Sequence, residues 1–198
     1  IASCWYGCGN TSLPNPSTMR FGITADGRIV LHQGAMDIGQ GANTVITQIA
    51  ADALGVPVHD VHILGGDTDL TPDCGKTSAS RQTFVSGKAA MLSGMALRDR
   101  VLRHGNVDAN AKIALDGAVL TLADAGGGTL RIELADMPVN DHGYVFMAEE
   151  TYDPPTSPLD EKGQGVPYAV FGYGAQIVEL SVDAALGRVR VDKITTAH

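Results

Sequence analysis

Two short segments of the sequence combine residue types that could bind an anionic ligand. Gly39-Gln40-Gly41 places an amide side chain between two glycines. The second segment, 77–82, brings together two serines, a threonine and a glutamine. Helical periodicity begins beside each segment, and a helix N-terminus offers unpaired amides and a positive dipole end to an anion such as phosphate. From the residues alone, phosphate sites and two merely capped helices remain equal alternatives.

Gln40 favours a ligand over a cap. Its amide group has donors that could reach a ligand oxygen, and glycines on both sides would let that ligand approach the backbone closely. The familiar nucleotide motifs are absent from both segments. Neither is followed by the Gly-Lys-Ser/Thr of a P-loop, and no Gly-x-Gly-x-x-Gly opens a strand-helix unit. The sequence therefore disfavours a P-loop or a Rossmann site.

The cysteines and histidines do not predict a metal centre. Cys4 and Cys8 have no second pair to complete four ligands, and three cysteines do not form a disulfide framework. His59 and His62 fall within Val58–Leu64, which is predicted to be a strand. At that spacing their side chains would point to opposite faces.

The predicted elements alternate between helix and strand, and then become mostly strands. A hairpin, Met19–Thr24 and Arg28–Gln33, precedes a helix that starts at Ala42 and ends at Gly55. A second helix is predicted from 77–80, whose hydroxyls are good N-caps, to about Leu102. Its core face is expected to carry Phe84, Met91, Met95 and Leu102. Further strands are predicted at 118–123, 129–134, 145–151, 175–182 and 188–194, with irregular structure at 1–17 and a surface loop at 154–167.

This order predicts an α+β fold with two helices packed on mixed β-sheet. The chain has 198 residues, of which 44% are hydrophobic and 18% charged, as expected for a globular domain. Its net charge of −8 argues against non-specific nucleic-acid binding. We expect no membrane span, because the apolar runs are far shorter than the roughly 20 residues a membrane helix needs. No secretory signal is apparent, and the first residue is not Met, so we expect a cytoplasmic fragment.

Three motifs in order resemble the molybdenum hydroxylase family, which includes xanthine dehydrogenase, aldehyde oxidoreductase and nicotinate dehydrogenase. They are His32–Thr44 (HQGAMDIGQGANT), Gly66–Asp69 (GDTD) and Thr77–Gln82 (TSASRQ). Gly165–Gln176 (GVPYAVFGYGAQ) is also similar to the family. The resemblance covers essentially the whole chain. It implies that residues 1–198 are part of the molybdopterin-binding domain of the large subunit, from the second half of its molybdenum region and truncated at both ends.

The resemblance also implies roles for individual residues. Gln40 matches a glutamine near the molybdenum ligands, whose amide contacts metal-bound oxygen or the pterin dithiolene, and Gly39 and Gly41 match its neighbours at the cofactor. The loop that hydrogen-bonds the pterin and its phosphate arm would comprise Thr77, Ser78, Ala79, Ser80 and Gln82. Cys74-Gly75-Lys76 departs from the more usual glycine-rich stretch. Lys76 either adds a charge near the phosphate or is solvated.

The family's catalytic base is not in this chain. The Gly-x-Gly-Glu motif that carries the glutamate is absent and would lie beyond residue 198, and Glu149, Glu150 and Glu161 lie outside any such motif. No catalytic residue and no direct metal ligand is therefore predicted. We expect the chain alone to be inactive as a hydroxylase.

The resemblance implies an oxidoreductase that oxidises aldehydes or N-heterocycles with water-derived oxygen. Its cofactor would be molybdopterin or the cytosine dinucleotide form. The expected partners are the rest of the molybdenum subunit, iron-sulfur and flavin (FAD) subunits or domains, and a small-molecule substrate that the sequence does not identify. Two alternatives remain: a non-catalytic fragment or interaction domain that keeps the fold without cofactor, and a phosphate-binding domain for another nucleotide.

Overall fold

The computed structural model describes residues 1–9 and 14–198, which form two compact units. The larger unit is Asn15–Pro154, and the smaller combines Ile1–Pro14 with Pro155–His198. The helices of the described residues are α1 (Ala42–Leu54) and α2 (Gly87–Gly105). The strands are β1 (Ala2–Gly7), β2 (Ser17–Thr24), β3 (Ile29–Gln33), β4 (Val61–Gly65), β5 (Lys112–Asp116), β6 (Val119–Ala123), β7 (Thr129–Glu133), β8 (Tyr144–Tyr152), β9 (Phe171–Asp183) and β10 (Arg188–Ala197).

A mixed four-stranded sheet forms the centre of the larger unit. Its strand order is β4-β3-β2-β8, with β3 and β4 parallel and the other pairs antiparallel. Alternate residues of β2, Met19, Phe21 and Ile23, are fully buried, as expected for a strand with one face on the core. The predicted hairpin is confirmed, with its turn at Asp26-Gly27, where Gly27 has a φ of +82°.

The first helix, α1, agrees with its sequence pattern. Residues at helical spacing, Ala42, Ile46, Ala50 and Leu54, are buried. Gly55 ends the helix in the left-handed conformation, with its amide bonded to the carbonyls of Ala51 and Asp52. This helix connects β3 to β4.

The second helix begins later than the sequence predicts. Residues 77–81 form a loop, Gln82–Ser86 form one π-helical turn, and α2 starts only at Gly87. Ala79 and Ser80 both have a φ of +54°, which no right-handed helix accommodates. The hydroxyls at 77–80 were therefore wrongly interpreted as N-caps.

The buried face of α2 also differs from the predicted stripe. Leu102 is buried, but Met95 is 51% exposed, and the contact face consists largely of small residues: Ala89, Ala90, Ser93 and Gly94. A Cβ at Gly94 would lie only 2.7 Å from Ala53 Cβ on α1. The close approach of the two helices, rather than the size of the apolar side chains, therefore determines which face is buried.

Two strands were missed and one was misplaced. The antiparallel sheet β5-β6-β7 completes the larger unit, and β5 was not predicted. The region predicted to be the strand Val58–Leu64 is a 3₁₀ turn at Val58–Asp60 followed by β4. In the smaller unit, β1 pairs with β9 and β9 pairs with β10. The prediction of irregular structure at 1–17 is therefore wrong for Ala2–Gly7 and for the start of β2, while 10–13 lie outside the described residues.

The α+β prediction, two helices with mixed sheet, is confirmed. No helix or strand lies between Tyr152 and Phe171, in agreement with the predicted loop at 154–167. Neither described helix has the length and apolar character that crossing a bilayer requires.

Candidate cofactor-binding site

The loop between β3 and α1 fixes the position of Gln40. Its Oε1 accepts a hydrogen bond from the Ile38 amide at 2.7 Å, and its Nε2 donates to the Met36 carbonyl at 3.1 Å. These bonds hold the exposed side chain across its own loop. Because a carboxamide nitrogen carries two hydrogens, Nε2 has a second one for an external oxygen.

The neighbouring glycines provide conformation and open space. Gly39 and Gly41 have φ values of +104° and +81°, which L side chains rarely adopt. A Cβ at either position would meet nothing within 4 Å. No atom of residues 1–9 and 14–198 therefore blocks the approach of a ligand to this backbone.

The N-terminus of α1 does not present the open anion site that the sequence suggested. The carboxylate of Asp37 accepts hydrogen bonds from the amides of Gly39 at 2.9 Å, Gly41 at 3.3 Å and Asn43 at 3.0 Å. These bonds lower the pKa of Asp37, with the Asn43 amide contributing most. The chain's own carboxylate fills the position that a phosphate would take.

The loop preceding the π-helical turn is the stronger anion site. The amides of Ser78, Ala79 and Ser80 donate to no acceptor within residues 1–9 and 14–198. Ala79 and Ser80 are non-glycine residues in the left-handed region, a conformation that costs about 1–3 kcal/mol each and persists where the surroundings impose it. Strain beside unpaired donors is typical of a binding loop.

Thr77 joins the two loops. Its hydroxyl lies 3.0 Å from the Met36 amide, 3.1 Å from the Met36 carbonyl and 3.1 Å from Gln82 Nε2. Together the loops line a concavity of about 360 Å³, formed by Ile38, Gln40, and 77–83. It contains Gln40, Thr77, Ser78, Ala79, Ser80 and Gln82 among the predicted residues, whereas Gly39 and Gly41 do not line it.

Gln82 lines the concavity, but its side chain is engaged in bonds within the protein. It is buried, its Nε2 donates to the Lys76 carbonyl and to Thr77, and its Oε1 accepts from Ser86. The Gln82 side chain therefore supports the loop from behind. Lys76 is exposed and makes no ion pair with any described residue.

Two supporting residues were not predicted. Arg81 is 1% exposed and lies under the loop, and Cys74 is buried beside it. The thiol of Cys74 accepts from the Gly34 amide at 3.1 Å and donates to the Thr18 carbonyl at 3.0 Å, and burial raises its pKa. The sequence feature that could have identified Arg81 is its positive charge within the otherwise uncharged motif at 77–82.

The other titratable candidates lie outside the concavity. Glu149 on β8 forms an ion pair with Arg20 at 2.7 Å. His59 is exposed and lies 3.5 Å from Asp60. Among the described residues, no three His, Cys, Asp or Glu side chains come close enough to hold a metal ion.

The donors of the concavity fit an anionic group such as the phosphate of a pterin cofactor. Ser78, Ala79 and Ser80, whose amides are unpaired among the described residues, all line the same concavity, and two of them carry hydroxyls. The Arg81 guanidinium below them has no carboxylate within ion-pair distance among the described residues, and its desolvation lowers its pKa. Unpaired amides that line one concavity favour a negative ligand.

Comparison with known proteins identifies one family. A model of the molybdopterin cofactor-binding domain matches residues 1–198. "Probable hypoxanthine oxidase XdhD" of Escherichia coli K12 is 33% identical over 171 residues, which are 86% of this chain and 17% of that protein. The xanthine dehydrogenase molybdenum-binding subunit of Escherichia coli O157:H7 is 28% identical over 190 residues, covering 89% of this chain and 23% of that subunit.

A solved structure agrees with these relatives. The aldehyde oxidoreductase of Desulfovibrio desulfuricans ATCC 27774 superposes with a TM-score of 0.70 at 27% identity, covering 98% of this chain and 19% of that one. The chain thus spans only about a fifth of the length of the relatives it matches. The similarity to molybdenum hydroxylases seen in the motifs is confirmed, and the chain belongs to the molybdopterin cofactor-binding domain family.

Proposed function

We propose that this chain is part of the molybdenum-cofactor-binding subunit of an oxidoreductase that hydroxylates aldehydes or N-heterocycles with water-derived oxygen. The observation that carries the proposal is the concavity beside Gln40, where the amides of Ser78, Ala79 and Ser80 have no acceptor among the described residues. Unpaired backbone donors of this kind are typical of phosphate-binding loops.

Each segment of the site has a distinct role. The Ser78–Ser80 amides and hydroxyls bind the phosphate arm, and Thr77 and Gln82 hold that loop in place. Gln40 would offer its second Nε2 hydrogen to an oxygen of the cofactor, and the open backbone at Gly39 and Gly41 would leave room for the pterin. When bound, the cofactor supplies the two-electron redox chemistry of the reaction. The chain itself binds and orients.

The chain contributes no base, and the reaction requires further parts. We propose that residues 1–198 form a partial cofactor domain completed by the rest of the molybdenum subunit. Iron-sulfur and flavin partners carry the electrons away. The relative named as a molybdenum-binding subunit supports a division of the enzyme among subunits. The cofactor is molybdopterin or the cytosine dinucleotide form, in a cytoplasmic enzyme.

A pair of substitutions at Ser78 tests the proposal in the protein that contains this chain. Ser78 is exposed, so Glu and Gln should both be tolerated. The Ser78→Glu carboxylate would repel a phosphate at the neighbouring amides, whereas the Ser78→Gln side chain has nearly the same size and no charge. We expect molybdenum and pterin content to fall in the Glu variant and to persist in the Gln variant. Equal content in both, or no pterin in the wild type, would contradict the proposed function.

A further inference from the structure

Arg81 is the least exposed large side chain near the concavity, and its guanidinium is bonded throughout to the protein. All three guanidinium nitrogens donate to oxygen atoms. Nε bonds Asn15 Oδ1 at 2.5 Å, and Nη2 bonds the carbonyls of Asn15 and Pro16 at 2.9 and 2.7 Å. Nη1 bonds the carbonyls of Cys74 and Lys76 at 2.6 and 3.0 Å.

These bonds connect the loop to the chain before β2. The two Nη1 acceptors, Cys74 and Lys76, lie immediately before Thr77, while Asn15 and Pro16 precede β2. Because the guanidinium is rigid and planar, it fixes the distance between these carbonyls. Residues 77–80 lie between Lys76 and Arg81. Because the Arg81 side chain bonds the Lys76 carbonyl, it closes the loop that these residues form.

Gly75 packs directly against this guanidinium. A Cβ at Gly75 would lie 2.7 Å from Nη1 and 2.8 Å from Nη2 of Arg81, and the φ of Gly75 is +68°. The residue between the two acceptors thus has to lack a side chain for Arg81 to reach both. Two features of the sequence, Gly75 and Arg81, are explained by one arrangement.

The strained residues come directly before Arg81. Ala79 and Ser80 are held in the left-handed region, and nothing in their own side chains favours it. The bonds from Arg81 and Gln82 to the Lys76 carbonyl, at 3.0 Å each, hold the loop closed around them. A change of backbone conformation at Ala79 and Ser80 would reorient the three free amides.

We propose that Arg81 is a positioning residue that presets the Ser78–Ser80 amides for the cofactor without touching it. This proposal rests on the proposed function, because it presumes that the amides bind the cofactor. Lysine would keep the positive charge but could not bond four carbonyls and an amide oxygen together. The loop therefore requires the planar arrangement of donors in the guanidinium group rather than its positive charge.

The test uses the holoprotein that contains this chain and follows cofactor retention. For Arg81→Lys we expect pterin and molybdenum to be lost about tenfold faster than in the wild type, as when a supporting partner is removed at a metal site. The control is Val101→Ala, which removes buried side-chain volume from α2. Val101 is 0% exposed and lies outside the loop. Rates are compared at the same interval below each variant's melting temperature, so that a general loss of stability does not enter. Val101→Ala should retain cofactor like the wild type.

A second variant covers the case in which Arg81→Lys does not fold. Gly75→Ala keeps Arg81 but places a Cβ against its nitrogens, and it should also lose cofactor faster. Equal retention in Arg81→Lys and Val101→Ala, or wild-type retention in Gly75→Ala, would overturn the positioning role alone. A wild-type protein without pterin would overturn the proposed function as well, which separates the two failures.

Discussion

Single residues of the site divide into side chains placed to bind a ligand and side chains that hold the loops. Gln40 makes two hydrogen bonds within its exposed loop, and each such bond contributes only about 0.5–1.5 kcal/mol to folding. We expect Gln40→Ala to lower the free energy of unfolding slightly and to reduce turnover per bound molybdenum strongly. Melting temperature, molybdenum content and turnover on one preparation decide this. Normal turnover per molybdenum would mean that Gln40 is only structural.

Asp37 should show the opposite behaviour, because it holds the N-terminus of α1 and does not line the concavity. Its folded pKa is lower than its unfolded pKa, so its stabilising effect is present above about pH 4 and is lost as pH falls through the folded pKa. We predict that Asp37→Asn lowers stability at pH 7 and that the difference from the wild type shrinks below pH 4. Urea unfolding between pH 7 and pH 3 measures this. A difference that stays constant with pH would contradict the role.

The site could be predicted from the sequence only where a residue's role follows from its own loop. Gln40 and the hydroxyls of 77–80 were proposed from their local sequence and from the family resemblance, and their role in binding stays a prediction. Arg81 was missed because its role depends on where the chain folds back, whereas Asp37 was overlooked although its bonds lie within its own loop. Arg81 bonds Asn15 and Pro16, far away in sequence, and no local pattern predicts that contact.

At the scale of elements, the contact between α1 and α2 depends on small residues. A Cβ at Gly94 would lie 2.7 Å from Ala53 Cβ and 2.9 Å from the Ala50 carbonyl, so a larger side chain must push the helices apart. We predict that Gly94→Val destabilises the fold by about 1–3 kcal/mol. The control is Met95→Ala at the next, exposed position, with an effect of about 0.5 kcal/mol or less. Denaturant unfolding measures both, and equal effects would contradict the close packing.

The elements themselves were predictable where local patterns dominate. Helix α1 was found from apolar spacing and the terminating Gly55, and the hairpin from Asp26-Gly27. The start of the second helix was misplaced, because hydroxyls that resemble caps belong to a strained loop. Strand β1 was missed because its pairing partner, β9, lies at the other end of the sequence and nothing local indicates it.

At the scale of the whole molecule, the smaller unit presents an apolar sheet surface. Residues that alternate along β9 and β10 share one exposed face: Val178, Leu180, Val182, Val189, Val191 and Ile194. The opposite face is polar around Glu179, which lies 3.9 Å from Lys193, and carries the exposed Tyr173 and Ile177 nearer the start of β9. An apolar face of this kind is typical of an interaction surface.

We predict that the 198-residue chain self-associates through this face. Leu180→Lys should reduce association, because it places a charge in the centre of the apolar face, where Leu180 is 50% exposed. Ser181→Lys adds the same charge to the polar face and should leave association unchanged. Sedimentation velocity over a concentration series measures both. A wild-type chain that remains monomeric at high concentration would contradict the prediction.

The central claim is that the molybdenum cofactor binds at the concavity formed by Gln40 and residues 77–83. The most direct test is a crystal structure of the holoprotein, with the metal located by anomalous scattering at the molybdenum edge. We predict a pterin phosphate within hydrogen-bond distance of the Ser78, Ala79 and Ser80 amides, and the metal at the Gln40 end. A cofactor bound elsewhere, with these amides facing only solvent, would contradict it.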